Sequence, residues 1–267
     1  MEALFIIFIF ALIVYVIYCI SYVLFQEKFL FRPKKLPKDF VHPCQHDYEE
    51  LFLKTQDGET INAVMIHTKL PKGIVVYYHG NMLHLSNYLP YVNKFTEENY
   101  DVLICDYRSF GKSTGVLNEE NFYSDSLLVY DWAKEKFPNM PLIIYGRSMG
   151  TAAACYVASK RNSHLLLLEA PFYNLYDLSR YYGMLLPKGN YLRFSFRNNK
   201  YLSQVKSPIT IFHGTKDSIV AFKSGSKLRS YLKDGDQFIE IAGAGHNNLE
   251  RFEKYHRELE KVLSQIR

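Results

Sequence analysis

The stretch "LIIYGRSMGTAAA" sets Ser148 between Gly146 and Gly150, in the spacing Gly-x-Ser-x-Gly. A serine hydroxyl becomes a useful nucleophile only when it is exposed to a substrate and a neighbouring base takes its proton. A strand that turns sharply into a helix supplies the exposure, and the turn needs glycines because the flanking backbones approach closely. The neighbours fit: residues 142–145 read as a buried strand, and the small side chains of residues 151–154 open a helix. Ser148 is therefore the candidate nucleophile.

A base, and an acid to orient it, must come from elsewhere in the chain. In a parallel sheet covered by helices, reactive groups collect at the carboxyl ends of the strands, directly after apolar runs. His246, in "GAGHNN", follows "FIEI", and Asp217 follows "ITIFHGTK". His246 is expected to take the serine proton and later give it to the leaving group, while Asp217 fixes the imidazole tautomer and stabilises the protonated ring. Glu169, at the end of the run "HLLLLE", and the pair Asp234 and Asp236, before the last strand, are the weaker choices for the acid.

The elements that must position these groups are legible as an alternation. "YEELFLKT" and "TINAVMI" flank a polar turn with Asp57-Gly58 and read as an antiparallel hairpin. "GIVVYYHG", "DVLICDY", "LIIY", "HLLLLEA", "PITIFHG" and "QFIEI" are short apolar runs of the kind buried on both faces. Between them, helices are predicted over residues 87–98, about 119–137, from Met149, near 221–232 and from Asn248. Strands alternating with helices mean a mostly parallel sheet covered on both sides, the α/β class.

Residues 3–25 differ in kind, being apolar throughout and without a charge. A helix of that length spans the hydrocarbon core of a bilayer. A cleaved signal peptide wants a basic start, a shorter apolar run and a small-x-small cleavage site; here Glu2 stands at the start and bulky residues fill the end. One retained transmembrane helix is expected, and Lys28, Arg32, Lys34, Lys35 and Lys38 just beyond it place the following domain on the cytoplasmic side. The net charge of +5 sits partly in this cluster and points to anionic lipid surfaces, not to nucleic acid. The four cysteines form no disulfide framework. "HPCQHD" offers His42, Cys44 and His46, but beside a proline-rich linker this is a poor metal cage, and no metal site is expected.

Taken in order, "HGN", "DYRSFGKSTG", "GRSMG", "EAPF", "HGTKDSIV" and "GAGHNN" make the chain from about Tyr48 onward resemble the α/β-hydrolases, whose triads run serine, acid, histidine. With the single anchor, the chain is similar to the membrane-anchored, Bem46-like branch, related to serine aminopeptidase-like and monoacylglycerol lipase-like hydrolases. The resemblance implies the α/β-hydrolase fold, a mostly parallel eight-stranded sheet flanked by helices with a small cap. It also implies an oxyanion hole made by the backbone N–H groups of Met149 and Asn81. Leu83 stands where similar proteins carry a second glycine, which keeps Met82 open as an alternative donor.

The expected organisation is a transmembrane anchor over residues 1–25, a juxtamembrane linker over 26–46 and a hydrolase domain over 47–267, with the cap at about 172–204. Leu175, Leu178, Tyr182 and Leu185 fall on one helical face that would close over the cleft. About twenty linker residues at roughly 3.3 Å each let the domain reach some 70 Å from the bilayer. The expected activity is cleavage of a carboxylic ester or thioester, on a lipid or acylated substrate, through an acyl-enzyme with neither metal nor organic cofactor. An aminopeptidase-like amidase and a non-catalytic scaffold of the same fold are the rival readings.

Overall fold

The computed structural model describes residues 1–182 and 192–266. Its first element is α1 (Glu2–Leu24), whose 18-residue core has a mean hydropathy of 3.0. At 1.5 Å per residue it is about 34 Å long, enough to cross a bilayer. Its large side chains from Leu4 to Ile20 are exposed to the surroundings, a surface that soluble domains do not carry.

Residues 26–46, expected to be a linker, are docked on the domain. Helix α2 (Gln26–Leu30) is followed by β1 (Arg32–Pro33), which pairs in parallel with β5 (Met82–Leu83), Arg32 opposite Met82 and Pro33 opposite Leu83. Lys35 bridges to Gly111 beyond it. The buried Phe31 ring sits 4.9 Å from Phe194, 6.1 Å from Phe196 and 6.4 Å from Phe110, centroid to centroid. Burying one such ring stabilises by about 1.5–3 kcal/mol. The reach of an extended tether is thus not realised, because Phe31 in "KFLFRP" is a core residue.

The main sheet begins with the hairpin of β2 (Tyr48–Lys54) and β3 (Thr60–Ile66), in register from Tyr48 opposite Ile66 to Lys54 opposite Thr60. It continues through β4 (Gly73–Tyr78), β6 (Tyr100–Cys105), β7 (Leu142–Arg147), β8 (Leu165–Glu169), β9 (Ile209–Gly214) and β10 (Gln237–Ile241). The eight strands lie in the order β10-β9-β8-β7-β4-β6-β3-β2. All neighbours are parallel except β3, which runs antiparallel to both β6 and β2. This is the expected architecture, and β4, β6, β7 and β9 are buried along their whole length, as their unbroken apolar runs require.

Helices cover both faces. On one lie α4 (Glu119–Lys136) and α5 (Gly150–Lys160), where Ala152, Ala153 and Ala154 let the backbone sit directly on the sheet. On the other lies α9 (Glu253–Ser264), which buries Tyr255, Leu259, Val262 and Leu263. Two predicted helices are broken. Residues 85–96 form two 3₁₀ turns and the short α3 (Asn93–Thr96), with Pro90 at the start of the second turn. In the other, α8 (Phe222–Gly225) passes into a 3₁₀ turn at Ser226. Glycine and serine there favour the helix poorly. Within residues 172–204, where a cap is expected, α6 (Leu175–Tyr181) and α7 (Asn198–Leu202) are formed. Leu185 and the rest of residues 183–191 lie outside the described residues.

Candidate active site

Ser148 follows β7 with φ 54, in the left-handed region that costs a side-chain-bearing residue about 1–2 kcal/mol. The turn is held by hydrogen bonds: its N–H donates to Glu169 O at 2.9 Å, and its carbonyl accepts from the Thr151 N–H at 3.0 Å. Both flanking glycines are sterically required. A Cβ on Gly146 would stand 2.6 Å from Gly150 O, and one on Gly150 would stand 2.0 Å from Tyr78 O. The Gly-x-Ser-x-Gly spacing is thus a packing necessity of β7, β4 and α5 meeting at one point.

Asp217 lies just past β9. Its Oδ1 accepts the N–H groups of Ile219 (2.9 Å) and Val220 (2.8 Å), which fixes the carboxylate plane. Its Oδ2 lies 2.8 Å from His246 Nδ1 and 3.5 Å from His213 Nε2. Burial alone would raise its pKa, but the hydrogen bonds and charge supplied by His213 and His246 outweigh it and hold the carboxyl well below its ordinary range. An ionised Asp217 accepts from Nδ1–H, so His246 carries its proton there and leaves Nε2 as the basic nitrogen.

His246 sits on the loop after β10. Arg147, the residue before Ser148, clamps that loop: its Nη2 donates to His246 O at 3.3 Å and to Asn247 Oδ1 at 3.0 Å. The guanidinium is itself held by Glu169, Nε to Oε1 2.9 Å. Among the described residues no hydrogen bond joins Ser148 Oγ to His246. Such contacts are often loose before substrate arrives.

The weaker acids are engaged elsewhere. Glu169 Oε2 accepts from Lys94 (2.9 Å), Tyr145 (2.8 Å) and Tyr255 (2.6 Å). Burial is overcome there by Lys94 and Arg147, which hold the carboxyl far below its usual range. Asp236 accepts from Ile209 N–H at the start of β9, the opposite end of the sheet from Asp217, and Asp234 is exposed.

Asn81 and Met149 line the same cavity as Ser148, and among the described residues neither backbone N–H has a hydrogen-bond partner. The Asn81 loop is pinned by residues 30–32: its Nδ2 donates to Leu30 O (2.6 Å) and its carbonyl accepts the Arg32 N–H (2.9 Å). Met82, the alternative donor, is not among the described residues lining the cavity. Leu83, in the place of a glycine, holds φ 61, the conformation a glycine would take freely. Three contributors carry no signal in the apolar pattern: Arg147, His213 and the pinning segment 30–32. The first two stand inside "GRSMG" and "FHGTKD", where a charged or basic residue at a strand end was the available cue.

The cavity has a volume of about 310 Å³, at the small end of ligand pockets, and its remaining walls are mostly apolar, with Leu175, Leu178 and Tyr182 on the α6 side and Ile219 and Val220 beside Asp217. The histidines of "HPCQHD" do not converge. His42 bonds Ser86 (2.7 Å) and Glu50 (2.9 Å), and His46 bonds Asn93 (3.3 Å) and Thr96 (3.2 Å).

Comparison with known proteins bears on the fold and the family. The family described as serine aminopeptidase, S33, matches residues 69–200, a span that contains Ser148 and ends before Asp217. The human protein ABHD12B is 32% identical over 198 residues, which cover 67% of this chain and 52% of that protein, so the chain spans about half of its length. Human alpha/beta hydrolase domain-containing protein 17B is 27% identical over 228 residues, 83% of this chain and 77% of the relative. Among solved structures, the esterase Pf2001 of Pyrococcus furiosus superposes with a TM-score of 0.71 at 18% identity, covering 89% of this chain and 97% of that one. A soluble variant of monoglyceride lipase from Saccharomyces cerevisiae, in complex with a substrate analog, superposes with 0.64 at 15%, covering 86% and 98%. At these identities the structural likeness is one of fold. With the sheet order, the strained strand-to-helix serine and these relatives in agreement, the chain belongs to the α/β-hydrolase superfamily.

Proposed function

We propose that this hydrolase cleaves a carboxylic ester or thioester with Ser148 as nucleophile, His246 as base and Asp217 as its orienting acid. Ser148 Oγ attacks the carbonyl carbon as His246 Nε2 takes its proton. The Asn81 and Met149 N–H groups receive the oxyanion. Collapse expels the alkoxide or thiolate, which leaves with the proton from His246, and the acyl group stays on Ser148. Water, deprotonated by His246, then attacks the acyl-enzyme; the acid is released and the proton returns to Ser148.

The observation that carries this reading is the 2.8 Å bond from His246 Nδ1 to Asp217 Oδ2, on a loop that Arg147 ties to the serine turn. Fluorophosphonate labelling tests it: wild type should label, and Ser148→Ala should not. Ser148→Ala and His246→Ala should each lose at least about 10³-fold in turnover, because nucleophile and base act as one unit. Equal labelling of wild type and Ser148→Ala would remove Ser148 from the mechanism, and no labelling of either would favour the non-catalytic scaffold.

The match to an aminopeptidase family raises the amidase as a second reading. An aminopeptidase needs a carboxylate for the substrate ammonium, and among the described residues lining the cavity none carries one. Comparing nitrophenyl esters with aminoacyl anilides separates the two, and the ester is expected to win. The exposed α1, with Lys28, Arg32 and Lys34 after it, supports a single-pass anchor with the domain on the cytoplasmic side. A membrane-resident acyl substrate follows from that placement.

A further inference from the structure

We infer that the domain end of α1, together with α2, is a wall of the acyl-binding cavity. A long acyl chain would enter it from the bilayer alongside the helix and pack on Tyr22, Phe29 and Leu30. This rests on the hydrolase reading above and adds to it a specificity role for the segment that anchors the protein.

Four observations converge. Tyr22, Phe29 and Leu30 line the same cavity as Ser148, Met149 and Asn81. In a helix whose large side chains are mostly exposed, Tyr22 is only 3% exposed, and its ring stands 5.8 Å from Phe29. The wall is also locked in place. The buried Gln26 amide makes two hydrogen bonds with the Phe194 backbone, donating to its carbonyl at 2.9 Å and accepting its N–H at 3.0 Å. Arg193 pairs with Glu27 at 2.9 Å and donates to Leu24 O at 3.2 Å, and Leu30 O holds the Asn81 side chain. The segment is thereby fixed both to the region before α7 and to the loop carrying the candidate oxyanion donor.

The surroundings are apolar where a water-filled mouth would be polar. Tyr182 and Ile219 line the cavity while being 50% and 48% exposed, and Met82 and Leu83, beside β1, are 42% and 36% exposed. Tyr182 and Ile219 share this cavity with Tyr22 of α1 and Phe29 of α2. Tyr22 is two residues from the end of α1, about 3 Å along its axis, so with α1 in a bilayer the cavity lies at the boundary of hydrocarbon and headgroups. A chain reaching Ser148 from there would meet Tyr22, Phe29 and Leu30 in the same cavity.

The test uses full-length protein in phosphatidylcholine vesicles, reading the ratio of kcat/KM for nitrophenyl palmitate to that for nitrophenyl butyrate. Leu30→Trp and Tyr22→Ala, which fill and open the wall, should each shift the ratio by about tenfold or more, since one methylene in an apolar pocket is worth that much. Replacing residues 2–21 with an unrelated apolar helix, Tyr22 onward kept, should leave the ratio unchanged. Because a wall variant can misfold, wild type is also labelled with a hexadecyl fluorophosphonate bearing a diazirine at the chain end, then photolysed. Crosslinks should map to Tyr22, Phe29 or Leu30. Crosslinks confined to α6 and Ile219, or a ratio unmoved in both variants, overturn the wall and leave the hydrolase standing. Failure of wild type to label at all takes down the hydrolase reading, and this inference with it.

Discussion

Replacing Asp217 with asparagine isolates the orienting role of one atom. Asp217 Oδ1 caps the Ile219 and Val220 N–H groups, and an asparagine in its place would keep both bonds through the amide oxygen. The other position changes sign: an NH₂ group would then face His246 Nδ1, 2.8 Å away. Nδ1 would have to accept, the ring proton would move to Nε2, and the imidazole would present a donor where a base is needed. The backbone caps keep the loop folded, so the loss falls on turnover. A triad carboxylate swapped for its amide costs about 10⁴-fold in kcat, or roughly 5.5 kcal/mol of barrier. Asp217→Asn should stay folded at the assay temperature with some loss of thermal stability, yet hydrolyse a nitrophenyl ester at about 10⁻⁴ of the wild-type rate. Turnover within tenfold of wild type, with the fold intact, would refute the claim that Asp217 sets the His246 tautomer. Glu169 is a poor heir to that role, since Lys94, Arg147, Tyr145 and Tyr255 already occupy it.

Glu169→Gln should destabilise the fold by about 3–5 kcal/mol, because it leaves the buried Lys94 and Arg147 short of a counter-charge; chemical denaturation measures this. Asp217 and Glu169 both have folded pKa values held below their ordinary ones, so their contributions are present above about pH 4 and lost as pH falls below it. The acid unfolding transition should therefore lie below pH 4 in wild type and flatten in Glu169→Gln. Gly150→Ala puts a Cβ 2.0 Å from Tyr78 O, so it should cost about 4 kcal/mol or more and abolish labelling of Ser148; a soluble, labelled variant would contradict the packing argument. Protease added outside sealed microsomes, which present their cytoplasmic face, should digest the catalytic domain, and full protection would reverse the proposed sidedness.

What the sequence settled by itself is what short-range physics controls. Unbroken apolar runs become buried parallel strands, an uncharged run of membrane length becomes an exposed apolar helix, and two glycines flanking a serine allow a turn that any Cβ would block. Each follows from periodicity or from the conformational needs of a few adjacent residues. Pro90 and the Ser224-Gly225-Ser226 run, which break two expected helices, belong to the same local vocabulary. The tertiary structure decided matters of pairing. Asp217 and Glu169 both follow apolar strands, and only the strand order turns one toward His246 and surrounds the other with Lys94 and Arg147. Arg147 reaches the His246 loop across about a hundred residues of chain, and His213 supports Asp217 from within β9. Residues 26–46 read as a tether because a short proline-bearing segment shows no periodicity. Gln26 and Phe31 become buried only because Phe194, far along the chain, meets them. A side chain's partner is a property of the folded surface it lands on, and composition and spacing do not encode that surface.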